Sequence, residues 1–222
     1  GTIQLIWAEC NEPIAMAATF VGDKTVTITG TADVDWDKGW LYVGRNGEGD
    51  GKLIFREANL TSKSVGTGTN GRGLNVSCKK EGESTTNDGE VEIINSNIQL
   101  DYLIGKGNIK LDNSTLEVYE GFAVGARPAS ETGGVQRTVT MDITNGSNVI
   151  VNNHSGQGLG YESMGIMNID ATSTFETTQS FLITAKGTMN NAGTVNITGT
   201  LTNNGTINFT GVDATLATTT AN

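Results

Sequence analysis

The residues of this chain best suited to binding chemistry lie in three segments, each of which follows a short apolar run. The candidate ligand-binding residues are Tyr102, Tyr119, Glu120, Arg127, Arg137, His154, Tyr161 and Glu162. Aromatic rings beside carboxylates and guanidinium groups are what a sugar or peptide groove uses for stacking and hydrogen bonding. The alternative interpretation is that the tyrosines cover an edge of the structure while the charges keep the segments soluble.

A second group of residues has the spacing of a calcium loop. Asn46, Glu48, Asp50 and Glu57 stand at positions one, three, five and twelve of a Gly-rich segment. Position one is Asn rather than Asp, and the flanks read as strands rather than helices, so a solvated Gly-rich turn is the alternative. Calcium is therefore the one cofactor that we consider, and no other is expected.

Catalysis is not indicated by the sequence. A hydrolase built on stacked strands needs converging carboxylates, and a lyase needs carboxylate-bound calcium with a basic residue as proton acceptor. No Asp-Asp pair occurs, and His154 has no carboxylate beside it in the sequence. We expect no enzyme, and a polysaccharide lyase or glycoside hydrolase is the alternative.

Charge and composition exclude several partners. The net charge of −10 argues against nucleic acid, because binding to phosphates depends on clustered Lys and Arg. No apolar run approaches the ~20 residues of a membrane span, so no membrane insertion is expected. Neither Cys10 nor Cys78 lies in a CxxC pair. One disulfide between them and two separate thiols both remain open.

The elements that must position these residues are short strands. Apolar residues alternate with polar ones in runs separated by Gly, Asn, Asp or Ser, and only two prolines occur. Residues 91–100 align with residues 109–118, which places Asn95-Ser96 over Asn113-Ser114, and looser copies follow at 139–149 and 167–175. A unit of this kind cannot bury its apolar side alone, so the copies must stack.

The C-terminal part has a shorter period. Five glycines fall at six-residue intervals, at positions 187, 193, 199, 205 and 211. This period is typical of left-handed hexapeptide helices. The upstream units are variable in length and carry Asn-Ser turns, which favours the right-handed form. We therefore predict an all-β, right-handed parallel β-helix (β-solenoid), and a left-handed β-helix is the alternative.

Stacking also predicts where the candidate binding residues meet. The equivalent strands 98–100, 116–118 and 149–151 are followed by residues 101–106, by a long insertion at 119–137 and by 152–163. Because loops that leave equivalent positions of a solenoid lie along one edge, these three segments should lie side by side. The eight candidate binding residues would then line a single edge.

Five stretches of the sequence have a shared character: TVTITGT at 25–31, GWLYVGR at 39–45, the segment 116–129, GLGYE at 158–162 and LTNNGTINFT at 201–210. Together they resemble the pectin-lyase-like β-helix regions of large surface proteins and adhesins of gut bacteria. The resemblance covers roughly residues 22 to 212, and its motifs are structural rather than catalytic. It implies an exported, stalk-like module on the bacterial cell surface, with flanking domains in a larger protein.

These arguments lead to one set of expectations. Residues 1–22 form an N-terminal cap segment, 23–212 the parallel β-helix, and 213–222 a C-terminal linker or truncated continuation. The module serves as an adhesin or structural stalk. Its expected partner is a host or microbial glycan or a surface protein, bound through the loops on one edge of the solenoid.

Overall fold

The computed structural model describes residues 2–15, 24–35, 41–44, 51–62, 73–76, 89–126, 137–152 and 158–221. Within these ranges the chain contains 19 β-strands and no helix. All the strands belong to one sheet, and every pairing between them is parallel. The predicted all-β class is confirmed, and the parallel arrangement is compatible with a β-solenoid.

The strands are β1 (Thr2–Ala15), β2 (Lys24–Asp35), β3 (Leu41–Val43), β4 (Gly51–Ser62), β5 (Gly73–Val76), β6 (Gly89–Ile94), β7 (Asn97–Gly105), β8 (Asn108–Asp112), β9 (Thr115–Val124), β10 (Thr138–Thr144), β11 (Asn148–Val151), β12 (Gly158–Leu159), β13 (Met164–Ile169), β14 (Thr174–Thr177), β15 (Phe181–Ile183), β16 (Gly187–Asn191), β17 (Thr194–Asn203), β18 (Thr206–Phe209) and β19 (Thr215–Ala221).

The pairings sort these strands into three stacks. Face A consists of the first halves of β1, β2 and β4 and then β6, β8, β10, β13, β16 and β18. Face B consists of the second halves of β1, β2 and β4, the first halves of β7 and β9, β11, β14, and the first halves of β17 and β19. Face C consists of β3, β5, the second halves of β7 and β9, β12, β15, and the ends of β17 and β19. One passage through faces A, B and C is called a rung.

The core lies inside the stacks, because alternate side chains of each strand face inward. The burial pattern of β6 alternates strictly, with Val91 and Ile93 fully buried. Ile109 of the next rung pairs with Val91. Phe122, Phe175 and Phe181 pack together inside, with ring centroids 5.1–6.3 Å apart. Each rung thus covers the apolar side of its neighbour.

The corner between faces A and B is short and repeats from rung to rung. Asn95-Ser96 joins β6 to β7, and Asn113-Ser114 joins β8 to β9. The pairing of Val91 with Ile109 and of Asn97 with Thr115 confirms the predicted alignment of these two units. The looser copy at 139–149 also stacks on its neighbours through β10 and β11.

The backbone at this corner adopts a left-handed conformation. Its φ values are 49° at Asn95, 46° at Asn113, 57° at Asn145 and 51° at Glu57. Asn tolerates this region because its short polar side chain bonds locally, whereas Glu has no such advantage. Three rungs therefore carry a residue suited to the corner, and the rung of Glu57 does not.

A ladder of serine hydroxyls runs beneath the corner. The backbone N–H of Ala58 donates to Ser96 Oγ at 3.0 Å, that of Ser96 to Ser114 Oγ at 3.0 Å, and that of Ser114 to Ser147 Oγ at 3.1 Å. The N–H of Ser147 donates to Ser173 Oγ at 3.1 Å. The four serines are buried. The five successive rungs from β4 to β14 are thereby bonded to one another at the same place.

The six-residue glycine period corresponds to one face of a three-faced coil. Gly187 begins face A, Gly193 directly precedes the face B strand, and Gly205 directly precedes the next face A strand. Asn190 pairs with Asn208, which lies 18 residues further along the chain. One full rung here therefore spans three of the six-residue periods. The 18-residue repeat corresponds to a whole rung, and the six-residue period corresponds to one of its three faces.

Strands also form near both ends of the described chain, and one inserted segment differs from expectation. Within the expected cap segment, β1 pairs with β2 in parallel, and within the expected linker, β19 pairs with β17. The predicted long insertion at 119–137 is wrong at its start, because β9 continues as a strand to Val124. Face C strands also occupy parts of the segments 101–106 and 152–163. Among the described residues, no helix is long and apolar enough to cross a membrane.

Candidate functional site

The segments that flank face C vary in length from rung to rung. Between faces B and C, these segments join residue 35 to 41, residue 62 to 73, and residue 151 to 158. Between faces C and A, they join residue 43 to 51, residue 76 to 89, and residue 124 to 138. In β7 and β9, by contrast, faces B and C follow one another within one strand. Binding residues concentrate on segments that vary around a rigid scaffold. Face C and its two corners are therefore the first candidate site.

The structure places the predicted binding residues in two groups on either side of face C. Tyr102, Tyr119 and Glu120 lie at the corner between faces B and C of two successive rungs. Arg137, Tyr161 and Glu162 lie at the corner between faces C and A. Arg127 and His154 lie outside the described residues. The described parts of the three predicted segments lie side by side, because β7 pairs with β9 and β9 with β12.

Tyr119 is held in an acidic environment at the B–C corner. Its burial raises the pKa of the phenol, and a hydrogen bond with Glu117 and the negative charge of Asp101 raise it further. Asp101 is fully buried. Within the described part of the chain, the Oε1 atom of Glu120 is buried without a hydrogen-bond partner. Buried acceptors are normally paired, so Glu120 has capacity for a donor at this corner.

The ring of Tyr102 lies close to Gly121 of the next rung. A Cβ atom built on Gly121 would stand 2.3 Å from Tyr102 Cδ1 and 2.4 Å from Cε1. Only a glycine leaves room for the ring at this position. The residue is half-buried, so part of its surface remains available for contact with an apolar ring face.

Sequence reasoning missed two residues at this corner, Asp101 and Glu117. Glu117 accepts hydrogen bonds from Gln99 Nε2 at 3.1 Å and Asn152 Nδ2 at 2.7 Å, so it links three rungs. Asp101 and Glu117 lie on successive rungs and are distant along the chain. The sequence feature that could have pointed to Glu117 is the repeat alignment, which places Glu117 in register with Gln99.

The C–A corner presents one exposed aromatic ring. Tyr161 is 46% exposed and follows Gly160, whose φ is +74°. Two backbone N–H groups, of Glu162 and Ser163, donate to the carbonyl of Gly125 at 2.9 and 2.8 Å. Lys186 Nζ donates to the carbonyl of Glu162 at 2.9 Å. The turn that carries Tyr161 is thus fixed by bonds to the neighbouring rungs.

The structure gives a partial view of the predicted calcium site. Asn46, Glu48 and Asp50 lie outside the described residues. Glu57 is exposed at the A–B corner, and a straight strand segment of roughly 20 Å separates it from Gly51. Within the described ranges, no group of three or more His, Cys, Asp and Glu side chains is arranged to hold a metal ion.

A second candidate site is a groove of about 470 Å³ at the A–B corner. It is lined by Glu57, Ala58, Asn59, Asn95, Ser96, Asn97, Asn113, Ser114, Thr115 and Gly146. The two serines belong to the buried ladder and form the floor. The sequence pointed to the Asn-Ser turns as corners but not to the groove, which exists only because equivalent turns stack.

Comparison of the chain with models of protein families, with curated proteins and with solved structures finds no match. The function is therefore inferred from the geometry of these two sites and of the rungs that carry them.

Proposed function

We propose that this chain is a right-handed parallel β-solenoid module of an exported bacterial surface protein, and that it acts as a stalk with an adhesive edge. Its ligand is a host or microbial glycan or a surface protein. The observation that carries this proposal is the uninterrupted stacking of strands, in which one rank of parallel pairs runs from β1 to β18 along face A.

A stack of this kind supports a spacer role. Face A contains nine strand segments, and a spacing of ~4.8 Å between strands gives the rod a length of roughly 40 Å. Ladder hydrogen bonds run along the axis, and the buried serines add a side-chain ladder beside them. The module therefore keeps its two ends apart as a stiff unit.

The right-handed form is supported by a general rule of sheet topology. A connection that returns to a parallel neighbouring strand in the same sheet is right-handed in about 98% of cases. The rungs here also differ in length, since Asn113 bonds to Asn95 across 18 residues whereas Asn168 bonds to Asp142 across 26 residues. Strictly regular coils characterise the left-handed hexapeptide type.

The adhesive edge is assigned to the B–C corner. Tyr102 offers a half-buried ring, Tyr119 a phenol, and Glu120 a half-buried carboxylate. A sugar satisfies this set by stacking on the ring and donating hydrogen bonds from its hydroxyl groups to the carboxylate. Exposed Tyr161 on the other side of face C extends the surface.

A glycan array tests this proposal. The full chain is expected to bind one class of glycan, and Tyr102→Ala with Tyr119→Ala should abolish that binding. The matched variant pair Tyr102→Phe and Tyr119→Phe keeps both rings and should retain part of it. Binding that is unchanged in the alanine pair would overturn the assignment of the edge. A wild-type chain that binds neither glycans nor surface proteins would leave only the stalk.

A polysaccharide-active enzyme is the second candidate. The observation in its favour is the grouping of Asp101 and Glu117 around Tyr119, with Glu120 next to it in the chain. Paired carboxylates are the acid and base of glycoside hydrolysis. Incubation with neutral and uronic-acid polysaccharides distinguishes the two functions, because an enzyme releases reducing or unsaturated ends that are lost in Glu117→Gln, and an adhesin releases none.

A further inference from the structure

The groove at the A–B corner has two walls made of stacked polar side chains. The first wall, called the corner row, consists of Glu57, Asn95 and Asn113. The second, called the strand row, consists of Asn59, Asn97 and Thr115. Members of the strand row are in direct register, Asn59 with Asn97 and Asn97 with Thr115. Each wall therefore presents one polar group per rung.

Most of the hydrogen-bonding capacity of these walls is unused. In the corner row, Asn113 Nδ2 donates to Asn95 Oδ1 at 2.8 Å. Asn59, Asn97 and Thr115 make no side-chain hydrogen bond within the described part of the chain. Asn148, which continues the strand row beyond Thr115, has its Oδ1 atom buried with no partner in the same ranges. The strand row thus lacks partners over successive described rungs.

The floor holds the walls rigidly in place. Ser96 and Ser114 accept backbone N–H groups from the preceding rungs and donate their hydroxyl protons to the carbonyls of Ile94 and Asp112, at 2.7 and 2.8 Å. The serine hydroxyls are buried, and each both donates and accepts a hydrogen bond. These bonds hold the backbone beneath the walls in one conformation. A ligand that enters the groove meets a preorganised surface, which reduces the entropic cost of binding.

The corner conformation gives no reason for a glutamate at position 57. It has a φ of 51° at a position where the following rungs carry Asn. A left-handed conformation is unfavourable for a residue without a local side-chain bond, and such outliers concentrate at functional sites. Glu57 is exposed and is the only charged residue among the described residues that line the groove. Its carboxylate can accept hydrogen bonds from the hydroxyl groups of a ligand.

We infer that the A–B groove binds a neutral glycan chain that lies along the solenoid axis. A pyranose ring is about as long as one rung spacing of ~4.8 Å, so successive sugars meet equivalent groups on successive rungs. An extended peptide advances ~3.3 Å per residue and does not match that spacing. Asn amides offer both donors and acceptors to vicinal hydroxyls. No Lys or Arg is among the described residues that line the groove, and the carboxylate of Glu57 repels uronic acids.

The inference goes beyond the proposed adhesive edge, because the groove lies at a different corner of the rung. The two sites are separated by the length of the face B strand, from Thr115 to Val118. Either site can therefore be removed without touching the other. Substitutions in the groove and at Tyr102 and Tyr119 report on the two proposals independently.

The test is a titration of the full chain, followed by NMR, with neutral β-1,4-linked gluco- and manno-oligosaccharides and with oligogalacturonate. A neutral oligosaccharide is expected to shift the amide signals of Asn59, Asn95, Asn97 and Asn113, and oligogalacturonate is expected to shift none of them. The variant Asn59→Ala with Asn97→Ala removes two neutral hydrogen bonds and should weaken binding by roughly tenfold.

Asn204→Ala is the matched control, since Asn204 is an exposed turn residue without a side-chain hydrogen bond in the described ranges. It should leave the affinity unchanged. Equal affinity of the wild type and the double variant would overturn the groove assignment while leaving the adhesive edge intact. Shifts confined to the B–C corner, shifts with oligogalacturonate alone, or no shifts with either sugar would also overturn it.

Discussion

The hydroxyl of Ser114 accepts the backbone N–H of Ser96 at 3.0 Å, although 18 residues separate the two serines along the chain. The same hydroxyl donates to the carbonyl of Asp112. Ser114 therefore satisfies a buried N–H group of the preceding rung and a carbonyl of its own corner. This bond shows how a chain with a modest apolar content connects one rung to the next.

Replacing Ser114 by alanine should destabilise the fold. The N–H of Ser96 would be left buried without an acceptor, and a lost partner of this kind costs about 1–3 kcal/mol. Urea denaturation of the wild type and Ser114→Ala measures the difference in unfolding free energy. Thr206→Ala is the control, because Thr206 is exposed on the last rung, and its change should stay within about 0.5 kcal/mol. Equal stability of both variants would contradict the ladder.

Glu57→Asn should stabilise the fold. Asn tolerates the left-handed conformation at this corner, and its Oδ1 would stand where the amide of Asn95 could donate to it, as Asn113 does to Asn95. The expected gain is about 0.5–1 kcal/mol. Glu57→Gln removes the same charge without relieving the backbone, so it should not gain stability. If both variants gain equally, charge rather than backbone conformation explains the effect.

Gly121→Ala should destabilise the fold because the new methyl group would collide with the ring of Tyr102. Overpacking of this kind costs about 1–3 kcal/mol. In a Tyr102→Ala background the ring is absent, so the same substitution should cost much less. A double-mutant cycle measured by urea denaturation gives the coupling. An identical cost in both backgrounds would show that the ring does not lie over Gly121.

Stability should fall in acid partly through Asp170. Burial alone would raise the pKa of this carboxyl, but hydrogen bonds from Ser173, from the backbone of Asn145 and from Thr172 outweigh it and lower the pKa below its ordinary value. A lowered pKa in the folded state stabilises the fold above the ordinary pKa, and the contribution is lost as the pH falls through the folded value.

The comparison of the wild type with Asp170→Asn isolates this contribution. The difference in Tm between the two proteins should be largest near neutral pH and should shrink as the pH falls below about 4, because the carboxyl of the unfolded chain takes up its proton there and that of the folded protein only at a lower pH. Thermal scans from neutral to strongly acidic pH measure it. A difference in Tm that stays constant over this range would rule out the assigned hydrogen bonds as its cause.

The repeat and its register could be predicted from the sequence because they depend on local pattern. Asn95-Ser96 and Asn113-Ser114 are visible as a repeated pair, and stacking follows from the apolar residues that one unit cannot bury. The serine ladder was harder to predict from the sequence. A serine in an Asn-Ser turn is usually interpreted as a solvated turn residue, and only the stacked structure shows that Ser96 and Ser114 are buried.

The candidate sites depend on how far each strand continues, which short apolar runs do not reveal. The run at 116–118 was followed by Tyr119 and Glu120, which resemble a loop, yet β9 continues to Val124. As a result the described binding residues, which were predicted on one edge, lie at two corners. The A–B groove could not be predicted either, because Asn59 and Asn97 are distant along the chain and meet only in the ladder.

The parallel stacking of rungs is the claim on which both sites depend, and cysteine cross-linking between β7 and β9 tests it most directly. In a background with Cys10 and Cys78 replaced by serine, oxidation should join the pair Asn97→Cys with Thr115→Cys and the pair Gln99→Cys with Glu117→Cys. These residues are in direct register, and disulfides form at Cα separations of about 4.4–6.8 Å. The pairs 97 with 117 and 99 with 115 should stay reduced. Cross-links in these two pairs instead would show antiparallel strands and contradict the account.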